Sequence, residues 1–220
     1  MGKGKKKKEL EDCYYCGDKS HSEEHCIPRC LFDHSKPYIP VKVPGCEKHN
    51  QGFSIHDEYF CHLMHLKMNS AEIGSEPTER IFRAAKRKST VGYKVLEQSF
   101  QTTITTTSGI ILPNVTAIKA DISRINIVFD KITRGLHFHH FGERTEDTHI
   151  FKFLGDKLYN ETLIPFTTRV VLQARNVEYR FIKRPFSNTT FWYYWLYEDI
   201  FVTMLISKNE LEDGKPKSES

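Results

Sequence analysis

All six cysteines of this 220-residue chain lie in its first 61 residues, at positions 13, 16, 26, 30, 46 and 61. Residues 12 to 68 also hold seven of the eleven histidines. Two short chelating pairs stand out: Cys13-x-x-Cys16, closed by Gly17, and Cys46-x-x-His49. A two-residue gap lets both side chains of a pair turn toward one ion, and two such pairs complete a tetrahedron around zinc with no open position. A segment this rich in loops, proline and glycine has a thin core of its own, so a clasp of this kind would supply folding energy. The reading is therefore a closed structural zinc site of Cys13, Cys16, Cys46 and His49. A redox pair and a set of reduced, buried thiols are the other readings. Cys30 is a substitute ligand for His49, and Cys26 and Cys61 read as core residues.

Composition fits one large domain or two small ones: 39% of residues are hydrophobic, 27% are charged and the net charge is +4. Basic residues cluster at positions 3 to 8 (KGKKKK) and in the run Arg80, Arg83, Lys86, Arg87 and Lys88, which favours an anionic partner. Neither a membrane span, a secretory signal nor a myristoylation pattern is expected, so the default address is the cytoplasm.

The expected order is a disordered basic arm over 1–11, a metal-clasped module over 12–74, an α+β domain over 75–207 and a flexible tail over 208–220. Within the module, residues 38–43 read as extended, Pro44-Gly45 as a turn, and 53–68 as a helix capped by Ser54. Further on, 78–88 and 121–132 read as helices. The stretches 95–108, 169–184 and 190–206 are β-prone, the last two as strands of an antiparallel sheet. HFHH at 137–140 is either a polar loop after a helix ending at Gly135 or, with His149, Glu143, Glu146 and Asp147, a second metal site. The aromatic block FWYYWLY at 191–197 reads as core or dimer packing before base stacking, with Trp192, Tyr194 and Leu196 on one face.

Between the two chelating pairs stands EHCIPR, residues 24–29, and Asn50 follows the second pair directly. Phosphodiester hydrolysis needs an activated water and a means of offsetting phosphate charge. A neutral His25 is suited to take the proton. Glu24 and Asn50 offer the oxygens that a hard ion such as Mg2+ or Mn2+ prefers. Arg29, and Arg83 and Arg87 downstream, are candidate nucleic-acid contacts.

The stretches CYYC (13–16), EHCIPRCLF (24–32), VPGCEKHN (43–50) and GFSIHDEYF (52–60) resemble the HNH nucleases of ββα-metal fold, in their zinc-knuckle branch. The resemblance covers about residues 12–65, with His49 standing where that branch has its last knuckle cysteine. It implies an α+β chain: an N-terminal ββα-metal zinc-stabilised nuclease module followed by a mixed domain with helices and an antiparallel sheet. It also implies a DNA endonuclease with His25 as general base, Glu24 and Asn50 on the catalytic ion, and Glu58, or Asp57, as the third motif residue, with His56 as a phosphate contact. A role in phage defence or a mobile element, and a C-terminal domain for target recognition, partner binding or homodimerisation, follow from the same likeness. The alternative is a non-catalytic, zinc-stabilised nucleic-acid-binding module.

Overall fold

In the computed structural model the described residues are 11–68, 97–145, 148–153, 164–173, 176–185, 189–197 and 200–207. The basic arm, the 78–88 run with Arg83 and Arg87, and the C-terminal tail lie outside them. The architecture is mixed α+β, with a helical region and a sheet region.

The first elements run strand, strand, helix. Strand β1 (Ser22–His25) pairs antiparallel with β2 (Lys42–Gly45), and α1 (Glu47–Met68) follows at once. Pro44-Gly45 is thus the end of a strand rather than a turn. Their carbonyls are both used, Pro44 O accepting from Tyr14 N at 2.9 Å and Gly45 O from His21 N at 3.1 Å. Proline is tolerated there because only its missing N–H would have been a ladder donor. The helix starts six residues before the expected Phe53, and Ser54 is inside it. Its hydroxyl donates back to Gln51 O at 2.7 Å instead of capping the N-terminus.

A hairpin of β3 (Ser99–Thr105) and β4 (Ile111–Ile118) comes next, followed by α2 (Ile122–Phe141). Asp121 caps α2, its Oδ1 accepting from Ser123 N at 3.0 Å and Arg124 N at 3.3 Å. Ile125, Val128, Phe129, Ile132 and Leu136 are buried at the three- and four-residue spacing of one helix face. The helix does not stop at Gly135 but runs on to Gly142, whose N–H meets Phe138 O at 2.8 Å. HFHH is therefore the last helical turn, neither loop nor strand, with His137 buried and His139 exposed. Gly135 is needed where it stands. A Cβ on it would lie 2.9 Å from Cys26 Sγ and 3.5 Å from Tyr14 Cε2, so the bare backbone lets α2 close on the cysteine-rich region.

Five antiparallel strands complete the chain in the order β5-β9-β8-β7-β6: β5 (Thr148–Phe153), β6 (Thr168–Gln173), β7 (Val177–Lys183), β8 (Thr190–Leu196) and β9 (Ile200–Ser207). Each apolar run expected as β-structure after residue 168 holds two strands, broken near Asn176 and at Tyr197. Tyr179, Phe181, Trp192, Tyr194 and Leu196 are buried on the sheet face that meets α2. Tyr194 and Thr133 share a hydroxyl hydrogen bond of 2.8 Å, and the Phe129 and Tyr194 rings lie 5.6 Å apart. Trp195, Tyr193 and Phe201 cluster on the opposite face. Trp192 and Tyr194 are thus core residues, not a stacking platform.

The buried apolar cluster runs from Cys13 to Ile206, so the cysteine-rich region and the sheet share one core among the described residues. Polar contacts reinforce it. Tyr197 donates to Leu31 O at 2.8 Å, and Gln173 exchanges two hydrogen bonds of 2.9 Å with the Asp33 backbone. Cys30 and Cys61 form a disulfide joining the 3-10 turn at Arg29–Leu31 to α1, which removes Cys30 from the chelating set.

His140, in the last turn of α2, faces the sheet, its Nε2 2.8 Å from the Tyr179 hydroxyl and its ring 4.3 Å from that of Phe181. Burial first, then the neighbouring His139, pushes its pKa down from about 6.5 to about 4. Stability from the neutral ring is then complete above pH 6.5 and is lost as pH falls toward 4. After allowance for partial screening by water, the loss is about 2 kcal/mol. His140→Gln keeps a hydrogen-bonding group without the titration. Denaturant midpoints between pH 7 and 4.5 should fall less steeply in His140→Gln than in the parent chain, and equal slopes would discount this ring.

Candidate metal centre and the adjoining polar cluster

Cys13 and Cys16 flank a tight turn closed by Gly17, which has φ +80°, with Gly17 N donating to Cys13 O at 2.9 Å. A side chain there would be strained and would also overlap the Arg144 guanidinium packed on the turn. Cys46 immediately precedes α1, and His49 lies in its first turn. The knuckle is tied to β2 by the Tyr14–Pro44 bond, which brings the two pairs together. The four ligand atoms all lie within 4.8 Å of one another. Cys16 and Cys46 sulfurs are 3.8 Å apart, Cys13 Sγ is 3.8 Å from His49 Nδ1, and Cys46 Sγ is 3.2 Å from the same nitrogen. Tetrahedral zinc with bonds of about 2.3 Å to sulfur and 2.0 Å to nitrogen would space its ligands roughly 3.5–3.8 Å apart. The donor set and spacing therefore fit a closed metal site, and among the described residues no other group of three or more His, Cys, Asp or Glu does so.

Aromatic and charged side chains pack around this cluster. The His49 ring lies 4.5 Å from Tyr15 and 5.6 Å from Phe53. Tyr15 donates to Asp130 on α2 at 2.8 Å, and Arg134 both pairs with Asp130 at 3.1 Å and lies over the Tyr15 ring at 4.6 Å. The knuckle is thus pinned to α2 by a cation, a carboxylate and an aromatic ring.

Strand pleating separates Glu24 from His25. Glu24 points inward and is 4% exposed, while His25 lies on the outer face directly across from Lys42. Inside, the Lys131 ammonium from α2 reaches Glu24 Oε1 at 3.1 Å and Asp57 Oδ2 at 2.5 Å, and Lys131 is 2% exposed. Burial raises the pKa of both carboxyl groups, and Lys131 opposes that rise. Asn50 lies on the Glu24 side, both flanking Gly45, but its amide nitrogen donates to Ser22 Oγ at 2.7 Å. Glu58 is on the exposed side of α1, 3.5 Å from His62 Nε2, whereas its neighbour Asp57 joins Glu24 through Lys131. His56 is half-buried and close enough to Asp57 to act on its pKa, in the lowering direction.

Outside, burial first and then the charges of Arg29, Lys42 and Lys131 hold the His25 imidazole below its ordinary pKa, so it is neutral near pH 7. Arg29 and Lys42 are exposed, and Lys42 also lies 3.4 Å from Glu23. The structure therefore brings Glu24, Asn50 and Asp57 to one side of β1 and His25, Arg29 and Lys42 to the other. A hydrated divalent ion does not fit the inner side as it stands, because an ammonium already holds Glu24. Lys131 escaped the sequence reading. The available signal was its place three residues after Val128, beside the apolar stripe of α2, where a lysine needs a buried partner.

No protein-family model, curated protein or solved structure matches this chain. Among the described residues no helix is long and apolar enough to cross a membrane.

Proposed function

We propose that the chain is a zinc-clasped, non-catalytic nucleic-acid-binding module with DNA as its partner. The observation that carries this reading is the split of β1. Glu24 turns inward to Lys131, while His25 turns outward into a surface with Arg29 and Lys42. A neutral imidazole and two exposed cations on a rigid hairpin are suited to phosphate oxygens, which accept hydrogen bonds and carry the charge. The clasp holds that hairpin in shape without an open coordination position. The basic runs at 3–8 and 80–88 would add non-specific attraction.

Replacing Arg29 and Lys42 together by alanine is expected to weaken binding to a duplex about tenfold or more and to reduce the salt slope by about 2. Fluorescence anisotropy across a salt series, with the metal content checked, makes the measurement. Unchanged affinity and slope would remove this face from the interface.

Endonuclease activity is the second reading, favoured by the approach of Glu24 and Asn50 to the same point on β2. Incubation with plasmid and Mg2+ or Mn2+ separates the two. The binding reading expects intact plasmid; metal-dependent nicking that His25→Ala abolishes would establish the nuclease.

A further inference from the structure

We propose that the β3–β4 hairpin is a self-association surface, and that two copies of this chain pack hairpin against hairpin through one apolar face. The inference goes beyond the binding reading and does not depend on it.

Charge is missing from the whole hairpin. Residues 99–118, SFQTTITTTSGIILPNVTAI, include no Asp, Glu, Lys, Arg or His, in a chain where 27% of residues are charged. The strand register sorts these side chains onto two faces, because residues paired across the strands share a face and neighbours along a strand do not. Phe100 pairs with Ala117, Thr102 with Val115 and Ile104 with Leu112, the shift in register after Thr102 keeping Val115 and Leu112 on one side. Ile110, two residues before Leu112, extends that face to the tip. The other face carries Gln101, Thr116 and Thr105, with Ile111 near the tip, and Gln101 Nε2 donates to Thr116 Oγ1 at 2.8 Å. The hairpin is therefore amphipathic, and its apolar face is open: Phe100, Ile104, Ile110 and Leu112 are each between 41% and 58% exposed. Their exposed parts come to about 400 Å2, a patch size that on soluble chains is often functional. Among the described residues the two strands form a sheet of their own. A hairpin of two strands is marginal in water unless its apolar face is covered.

The absence of charge selects what covers it. A DNA groove is met with cations, and this hairpin has none. A two-fold axis brings the residues of a contact toward their own copies, so a charged face would repel itself and a charge-free one matches itself. Two hairpins packed face to face, about 10 Å apart, make a four-stranded sandwich that covers both apolar faces. The patch is about half of the roughly 800 Å2 per partner in a standard interface, so the dimer is reversible and forms in the micromolar range. Trp192 and Tyr194 of β8 are taken up by the core under α2, so this surface is separate from the aromatic block.

Sedimentation velocity on the zinc-loaded, full-length protein from about 1 to about 200 µM reads the mass. The mass is expected to rise from the 25.7 kDa of one chain toward twice that value. Ile104→Lys should raise the dissociation constant about a hundredfold or more, since it sets ammonium beside ammonium in the contact. Thr105→Lys, on the polar face, should leave it within about threefold. Ile104→Lys and Ile104→Glu should each be monomeric alone and form a heterodimer when mixed. A parent chain that stays monomeric throughout, a dimer that Ile104→Lys leaves unchanged, or a mixture that stays monomeric would overturn the proposal. Loss of DNA affinity in Ile104→Lys with no change of mass would also overturn it, by making DNA the occupant. If the variants do not fold, hydrogen exchange on the parent chain decides. Amide protection over 99–118 that grows with protein concentration supports the pairing, and protection independent of concentration refutes it.

Discussion

Chelation of the metal at neutral pH is expected to unfold the region from Cys13 to His49 and to abolish the cooperative thermal transition of the chain. Ligands from two distant segments form this cluster, and its removal leaves the Cys13–Cys16 turn joined to the short strand β2 by the backbone bond from Tyr14 N to Pro44 O. Structural zinc sites contribute on the order of 10–16 kcal/mol of apparent binding free energy. That is as large as the entire net stability of a typical domain, about 5–15 kcal/mol. Because the buried cluster is continuous from the knuckle to the sheet, the loss should spread to α2 instead of staying local. Elemental analysis should find one zinc per chain. Cys46→Ala should lose both metal and transition, while Cys26→Ala, buried but outside the four-ligand group, should keep the metal. A metal-free protein with an unchanged melting curve would show that the four residues hold nothing.

Trp192→Ala is the second large effect. The indole is fully buried, donates from Nε1 to Thr190 Oγ1 at 3.0 Å, and stacks on Phe181 at 4.9 Å. Truncating a buried aromatic of this kind costs about 3–5 kcal/mol through lost burial and the cavity left behind. For a chain this long the melting temperature should drop on the order of 10 °C. Trp195→Ala, on the outer face of the same strand and only partly buried, should cost less than half as much. Calorimetry on both variants compares the two faces directly. Equal losses would contradict the assignment of the core to the α2 side.

Which residues share a face of β8 was readable from alternation alone, since a strand sends successive side chains to opposite sides, but which face packs on α2 was not. The four chelating residues were equally readable, because a two-residue gap restricts geometry locally. The burial of Ile125, Val128, Phe129 and Ile132 followed from helical spacing, whereas Ile122, of the same series, is exposed in the first turn of the helix. By contrast, the extension of α2 past Gly135 was not legible. Glycine ends many helices, and only the close approach of Cys26 and Tyr14 shows why it sits mid-helix here. The pairing of Cys30 with Cys61 likewise depends on how α1 packs on the turn at Arg29–Leu31. Glu58 and Asp57 are sequence neighbours whose roles differ because a helix sends them about 100° apart.

The spacing of Cys13, Cys16, Cys46 and His49 and the periodicity of α2 and β8 were determined by the sequence, since they rest on bonds and angles between near neighbours. What Glu24 does was decided only by tertiary structure. An EH pair reads the same whether its carboxylate meets an ion or an ammonium. Here a helix more than a hundred residues downstream brings Lys131 into contact with it, and a buried charge takes its character from whichever opposite charge the fold places beside it.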